Sequence, residues 1–174
     1  MTKEIKEHVW MIFRFALIMV IVGLVLGVFG REITRPLEKV MELDQRVWIQ
    51  NLITMTHGHA LFHGAMLPMM MAFAAYLFRE DISQDSRALG TMKKAFIIYM
   101  IGSVLMLALS TYKGTAYVLG IASDPTRTME MINESLFSGS TVLRSILFTI
   151  VHPLYATGLV WYLLRVRKAV RSNQ

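Results

Sequence analysis

Histidine is the residue type in this chain whose placement points to chemistry. His57, His59 and His63 fall within seven residues in the stretch THGHALFHG, and His152 stands alone in the apolar run SILFTIVHPLY. Neutral imidazole is a ligand for iron, copper and zinc, and at intermediate pH it also carries protons. On a helix advancing about 100° per residue, His59 and His63 lie one turn apart on one face, while His57 points nearly the opposite way. One ion on this helix alone would therefore use His59 and His63 but not all three. The chain has no cysteine, so thiolate metal sites, disulfides and thioether-linked haem are excluded.

The surroundings of these histidines are apolar. Of the 174 residues, 55% are hydrophobic and only 17% are charged, below the roughly one quarter of charged residues usual in a soluble domain. The apolar residues gather into four blocks of spanning length, at about 10–30, 57–78, 95–113 and 141–164. The expectation is an all-α protein: a transmembrane four-helix bundle forming one integral-membrane domain over residues 1–174. The first block lacks a small-residue cleavage site and leads straight into charged REITR, so it reads as a retained span rather than a signal peptide. After it, Leu37, Val40, Met41, Leu43, Val47 and Trp48 are spaced as on an amphipathic helix. That predicts a short external amphipathic helix on the membrane surface, running into the second span.

A formal charge of +6 raises nucleic acid as a partner, but the basic residues flank the spans, where they orient the chain and meet lipid headgroups. Lys3, Lys6, Arg79, Arg87, Lys93, Lys94 and the basic tail after Leu164 outnumber the cations of the opposite loops. This predicts cytoplasmic termini in a bacterial or archaeal plasma membrane. The partners expected are the lipid bilayer and a membrane or external redox protein, with no nucleic acid.

Histidine within a span is costly and marks a site by default. At about 1.5 Å per residue, His152 lies roughly 12–16 Å below the start of the fourth span, and His63 or His59 reaches a comparable depth on the second. Two histidines at matched depth on different helices can clamp a haem iron from both sides, the ordinary b-type arrangement. Gly58, Ala60, Gly64, Gly102, Ser103, Ala156 and Gly158 would give a flat macrocycle room. Arg31, Lys113 and Arg144, near the external ends of their spans, would hold its propionates. The preferred ligands are His59 and His152, with His63 as substitute and His57 on the propionate side. The rival is a copper or zinc site built from His57, His59, His63 and the Met66–Met70 stripe. Methionine is more often flexible packing, and lone intramembrane histidines also serve as hydrogen-bonding glue between helices. His8, ahead of the first span, reads as a solvated residue. Gly23 and Gly27 form a G-x-x-x-G that would pack helices within one chain or between two copies, with internal packing preferred.

The stretch GLVLGVFGREITR at 23–35, the HGH at 57–59 and the lone His152 resemble a family of small uncharacterised bacterial membrane proteins with four spans. The resemblance maps onto Gly23, Gly27, Val28, Phe29, Arg31, Glu32, His57, His59 and His152. It implies an aliphatic residue at the place of His63, which puts His59 first. THGHALFHGAMLPMMM also resembles the helix of haem–copper oxidase subunit I that supplies a low-spin haem ligand, over about 16 residues. The further histidines of the oxidase metal site have no counterpart here. Oxygen or NO reduction by this chain alone is therefore not expected, and the role expected of its bis-histidine haem is electron transfer or haem-based redox or gas sensing. No G-x-x-x-x-G-K-[ST], G-x-S-x-G or H-E-x-x-H is present to suggest a nucleotide-binding or hydrolytic enzyme.

Overall fold

Four long helices account for most of the chain, in a computed structural model that describes residues 1–172. They are Lys3–Thr34, Leu43–Leu77, Ala88–Ser123 and Thr141–Arg171, and each is long and apolar enough to cross a membrane. The protein is an all-helical, four-span membrane protein. Each helix packs on its neighbour in chain order, most extensively the first on the second and the third on the fourth. The start of the first helix, the end of the fourth and the 79–87 connection lie at one end, called here the terminal end, and the two longer connections lie at the loop end.

The helix starts follow from local chemistry. The hydroxyls of Thr2 and Ser140 accept from the backbone N–H groups of Ile5 and Leu143, and Glu42 with Gln45 forms a reciprocal capping box. The amphipathic segment expected after Pro36 is a 3-10 turn at Leu37–Lys39 followed, from Leu43, by a helix that runs unbroken into the second span. No breaker separates the two parts, so the surface segment and the span are one element. The third helix extends to Ser123, ten residues past the expected end, because Lys113 and Gly114 interrupt the apolar run without interrupting the backbone.

Small residues set how close the helices come. A Cβ on Gly23 would stand 2.9 Å from Leu61, one on Gly30 2.8 Å from Ile53, and one on Gly64 2.4 Å from Met19, so the first two helices meet along these glycines. Gly23 and Gly27 are thus used inside the chain. At Gly102 and Gly158 the third and fourth helices touch backbone to backbone, since a Cβ at either would lie 2.5 Å from the Tyr155 or Tyr99 nitrogen.

The main core fills the terminal half, around Ile12, Met71, Phe96, Tyr99 and Tyr162, with contributions from all four helices. A smaller core at the loop end joins Met41, Ile49, Leu52, Tyr117, Ile121 and Ile132. None of the residues from 141 to 150 is buried, so the fourth helix leaves the bundle open on its loop-end half.

His8 departs from the solvated role expected of it. It is 1% exposed, its ring stacks on Tyr162, and Nε2 lies 3.2 Å from the Tyr162 hydroxyl. That hydroxyl donates to the Met71 carbonyl at 3.2 Å. A phenol has one proton, so His8 donates through Nε2–H and its Nδ1 is a buried lone pair without a partner. This node ties the first, second and fourth helices together at the terminal end.

Candidate functional site

The second helix changes register at the histidines. Phe62–Met66 forms one π-helical turn, in which the Leu67 N–H bonds to the Phe62 carbonyl rather than to that of His63. Pro68, next in line, has no N–H to give. The His63 carbonyl is left without a helical partner, and the Tyr99 hydroxyl of the third helix donates to it. π-bulges of this kind are rare and concentrate at functional sites.

His59 and His152 share one arrangement. His59 Nδ1 lies 2.5 Å from the Met55 carbonyl and His152 Nδ1 2.8 Å from the Phe148 carbonyl, each one turn back on its own helix. A carbonyl only accepts, so both rings carry their proton on Nδ1 and present Nε2 as the lone-pair nitrogen. Metal-binding imidazoles are fixed in just this way by the nitrogen that does not ligate. His63 differs: its Nδ1 is buried and has no partner. Its ring lies 5.3 Å from that of His59 and 4.9 Å from that of Tyr155, centroid to centroid, and Tyr155 is 6.2 Å from His152. His63 of the second helix and His152 of the fourth thus both meet Tyr155, and His59 joins them through His63.

His57 does not join them. It turns to the first helix, where its Nδ1 would lie 3.4 Å from a Cβ on Gly27. Among the described residues, no three of His, Asp and Glu converge closely enough to hold an ion. Met66, Met69 and Met70 face outward, and of the four methionines only Met71 packs in the core.

The room expected for a macrocycle is redistributed. Gly64, Gly102 and Gly158 are filled by Met19, Tyr155 and Tyr99, and Ala60 is fully buried, because close helix packing consumes the space that small residues leave. Gly58 alone of these glycines meets nothing within 4 Å. Along the fourth helix, a groove of about 460 Å³ is lined by Lys113, Asn133, Arg144, Ser145, Phe148 and Thr149. Arg144, Phe148 and His152 follow at four-residue spacing, so the groove and the histidine share a helix face.

The cations around the groove are held in place. Arg144 donates to the Asn133 carbonyl at 2.8 Å, and the Lys113 ammonium sits 5.8 Å from the Tyr117 ring centroid. Neither forms an ion pair within 4.0 Å among the described residues. Arg31, by contrast, pairs with Glu38 at 3.5 Å, and Glu32 pairs with Arg35 rather than with Arg31. An aromatic cap that the sequence did not suggest closes the outer end. Phe137 and Ser138 both have left-handed backbones, with φ of 53° and 56°. The Phe137 N–H donates to the Tyr112 hydroxyl at 3.1 Å, and its ring meets those of Tyr112 and Phe148. Such strain in non-glycine residues persists only where surrounding contacts enforce it.

The chain belongs to the family described as Protein of unknown function (DUF2871), whose model matches residues 9–169. No match was found among curated proteins or among solved structures.

Proposed function

We propose that this protein binds one b-type haem between its second and fourth spans and passes single electrons. His59 and His152 would hold the iron. The observation that carries this reading is their shared geometry, Nδ1 anchored on the carbonyl one turn back and Nε2 presented. They sit on two helices linked by the ring contacts of His59 with His63, His63 with Tyr155 and Tyr155 with His152, and among the described residues no third donor converges as an ion site would need. Arg144 and Lys113, without carboxylate partners, are the cations for the propionates, while Arg31 is engaged by Glu38. His57, packed on the first helix, is left out of the ligand set. Haem supplies a one-electron couple, and ligation by two imidazoles leaves no open position on the iron, which favours electron transfer over gas sensing. The basic terminal side supports cytoplasmic termini, with the groove toward the outer face, where a membrane or external redox protein would meet it.

The test is an absorption spectrum of detergent-purified protein, expressed with haem supplied, before and after dithionite reduction. The expected result is a sharp reduced α-band with about one iron per chain. His59→Ala and His152→Ala should each abolish that band, and His63→Ala should retain it. A colourless wild type would overturn the reading, and copper or zinc in that sample would move the site to the metal-ion alternative.

A further inference from the structure

We infer that Tyr99 is a positioning residue, whose hydroxyl holds the π-turn of the second helix and thereby fixes which of His59 and His63 faces the cleft with His152. The inference rests on the haem reading for its functional meaning, but its geometry stands apart from it. Two donors are missing at one carbonyl. In a regular helix the His63 carbonyl would accept from Leu67, which here bonds to Phe62. In the π register it would accept from Pro68, which has no N–H. A buried carbonyl without a donor is costly, and the Tyr99 hydroxyl, from another helix, makes good the loss.

The tyrosine is itself fixed. It is fully buried, stacks on Phe96 and meets Tyr155 edge-on at 6.4 Å, at the level where Gly102 and Gly158 bring the third and fourth helices into backbone contact. The hydroxyl therefore comes from a crossing where the third and fourth helices meet backbone to backbone. A single π-turn changes the angular relation between residues before and after it. His59 precedes the turn and His63 lies within it, so holding the turn sets the angle between the two imidazoles. It also keeps the His63 ring against Tyr155, beside rather than in place of the anchored His59.

The experiment compares wild type, Tyr99→Phe, Pro68→Ala and the double variant. Tyr99→Phe keeps the ring and removes the donor, while Pro68→Ala returns an N–H to the position the π register needs. The haem-independent readouts are amide exchange across 62–67 and the imidazole resonances of histidine-labelled protein. Tyr99→Phe should speed that exchange about tenfold, as expected for one lost buried hydrogen bond, and shift the His63 resonance. The double variant should return both toward wild type, a rescue that a merely space-filling tyrosine would not give. In haem-loaded protein, Tyr99→Phe should also move the midpoint potential, with rescue in the double variant. If Tyr99→Phe leaves the exchange and the His63 resonance unchanged, the inference is overturned even in a red protein. A colourless wild type that still shows both effects and their rescue would defeat the haem reading and uphold the role of Tyr99 in fixing His63.

Discussion

At the residue scale, the histidines show how far type and spacing reach. His59 and His63 share a face because they are four apart, and that relation survives in the 5.3 Å approach of their rings. What spacing cannot show is which nitrogen is anchored, because that depends on the Met55 and Phe148 carbonyls and on the rotamers that reach them. His8 was illegible for another reason. Its partner Tyr162 is 154 residues away, and nothing near His8 in sequence marks it as buried. The node makes a prediction. Tyr162→Phe leaves the His8 Nε2–H without a partner in a dry core, while the Met71 carbonyl keeps only its bond within the helix, which should lower stability by about 1–3 kcal/mol. Unfolding of the detergent-solubilised variant in a denaturant series checks this, and a loss under a few tenths of a kcal/mol would mean that water enters the node.

Elements were legible where apolarity and backbone agree, and illegible where they part. The four spans follow from composition alone. Their true ends do not, since hydropathy marks where lipid would stop, whereas only caps and breakers stop a helix. Lys113 ended the apolar run but not the helix, and Asp124–Pro125 ended the helix. Glycine was misread for a related reason: a small residue predicts close approach, not what approaches. Gly102 and Gly90 separate these cases. A Cβ on Gly102 would meet the Tyr155 backbone at 2.5 Å, with no flexible side chain to yield, whereas one on Gly90 meets nothing within 4 Å. Gly102→Ala should therefore destabilise by about 1–3 kcal/mol through overpacking, and Gly90→Ala should stabilise by about 0.5–1 kcal/mol through helix propensity. Thermal melts of the two variants check the pair, and equal shifts would mean that the third and fourth helices are not in backbone contact at Gly102.

At the scale of the whole molecule, the two ends are built differently. The loop end adds polar contacts to its small apolar core, among them the Gln45 side-chain amide donating to the Pro125 and Arg127 carbonyls at 3.2 Å. The terminal end is shut, by the His8 node inside and, at its rim, by Asp85 paired with Arg165 at 2.5 Å. That rim contact ties the connection between the second and third helices to the fourth, and it makes closure depend on pH. The Arg87 N–H, 2.9 Å from Asp85 Oδ1, holds the carboxyl below its ordinary range, and the Arg165 charge adds to this against a partial opposing effect of burial. A carboxyl depressed in the folded state stabilises fully above its unfolded pKa of about 3.9 and loses that contribution as pH falls through the folded value. Wild type should therefore be more stable than Asp85→Asn at neutral pH, by an amount that is constant down to about pH 4 and shrinks below it. Melts of both proteins from pH 7 to pH 3 measure the gap. A gap that closes near pH 6 instead would assign the dependence to a histidine and remove Asp85 from the closure of the terminal end.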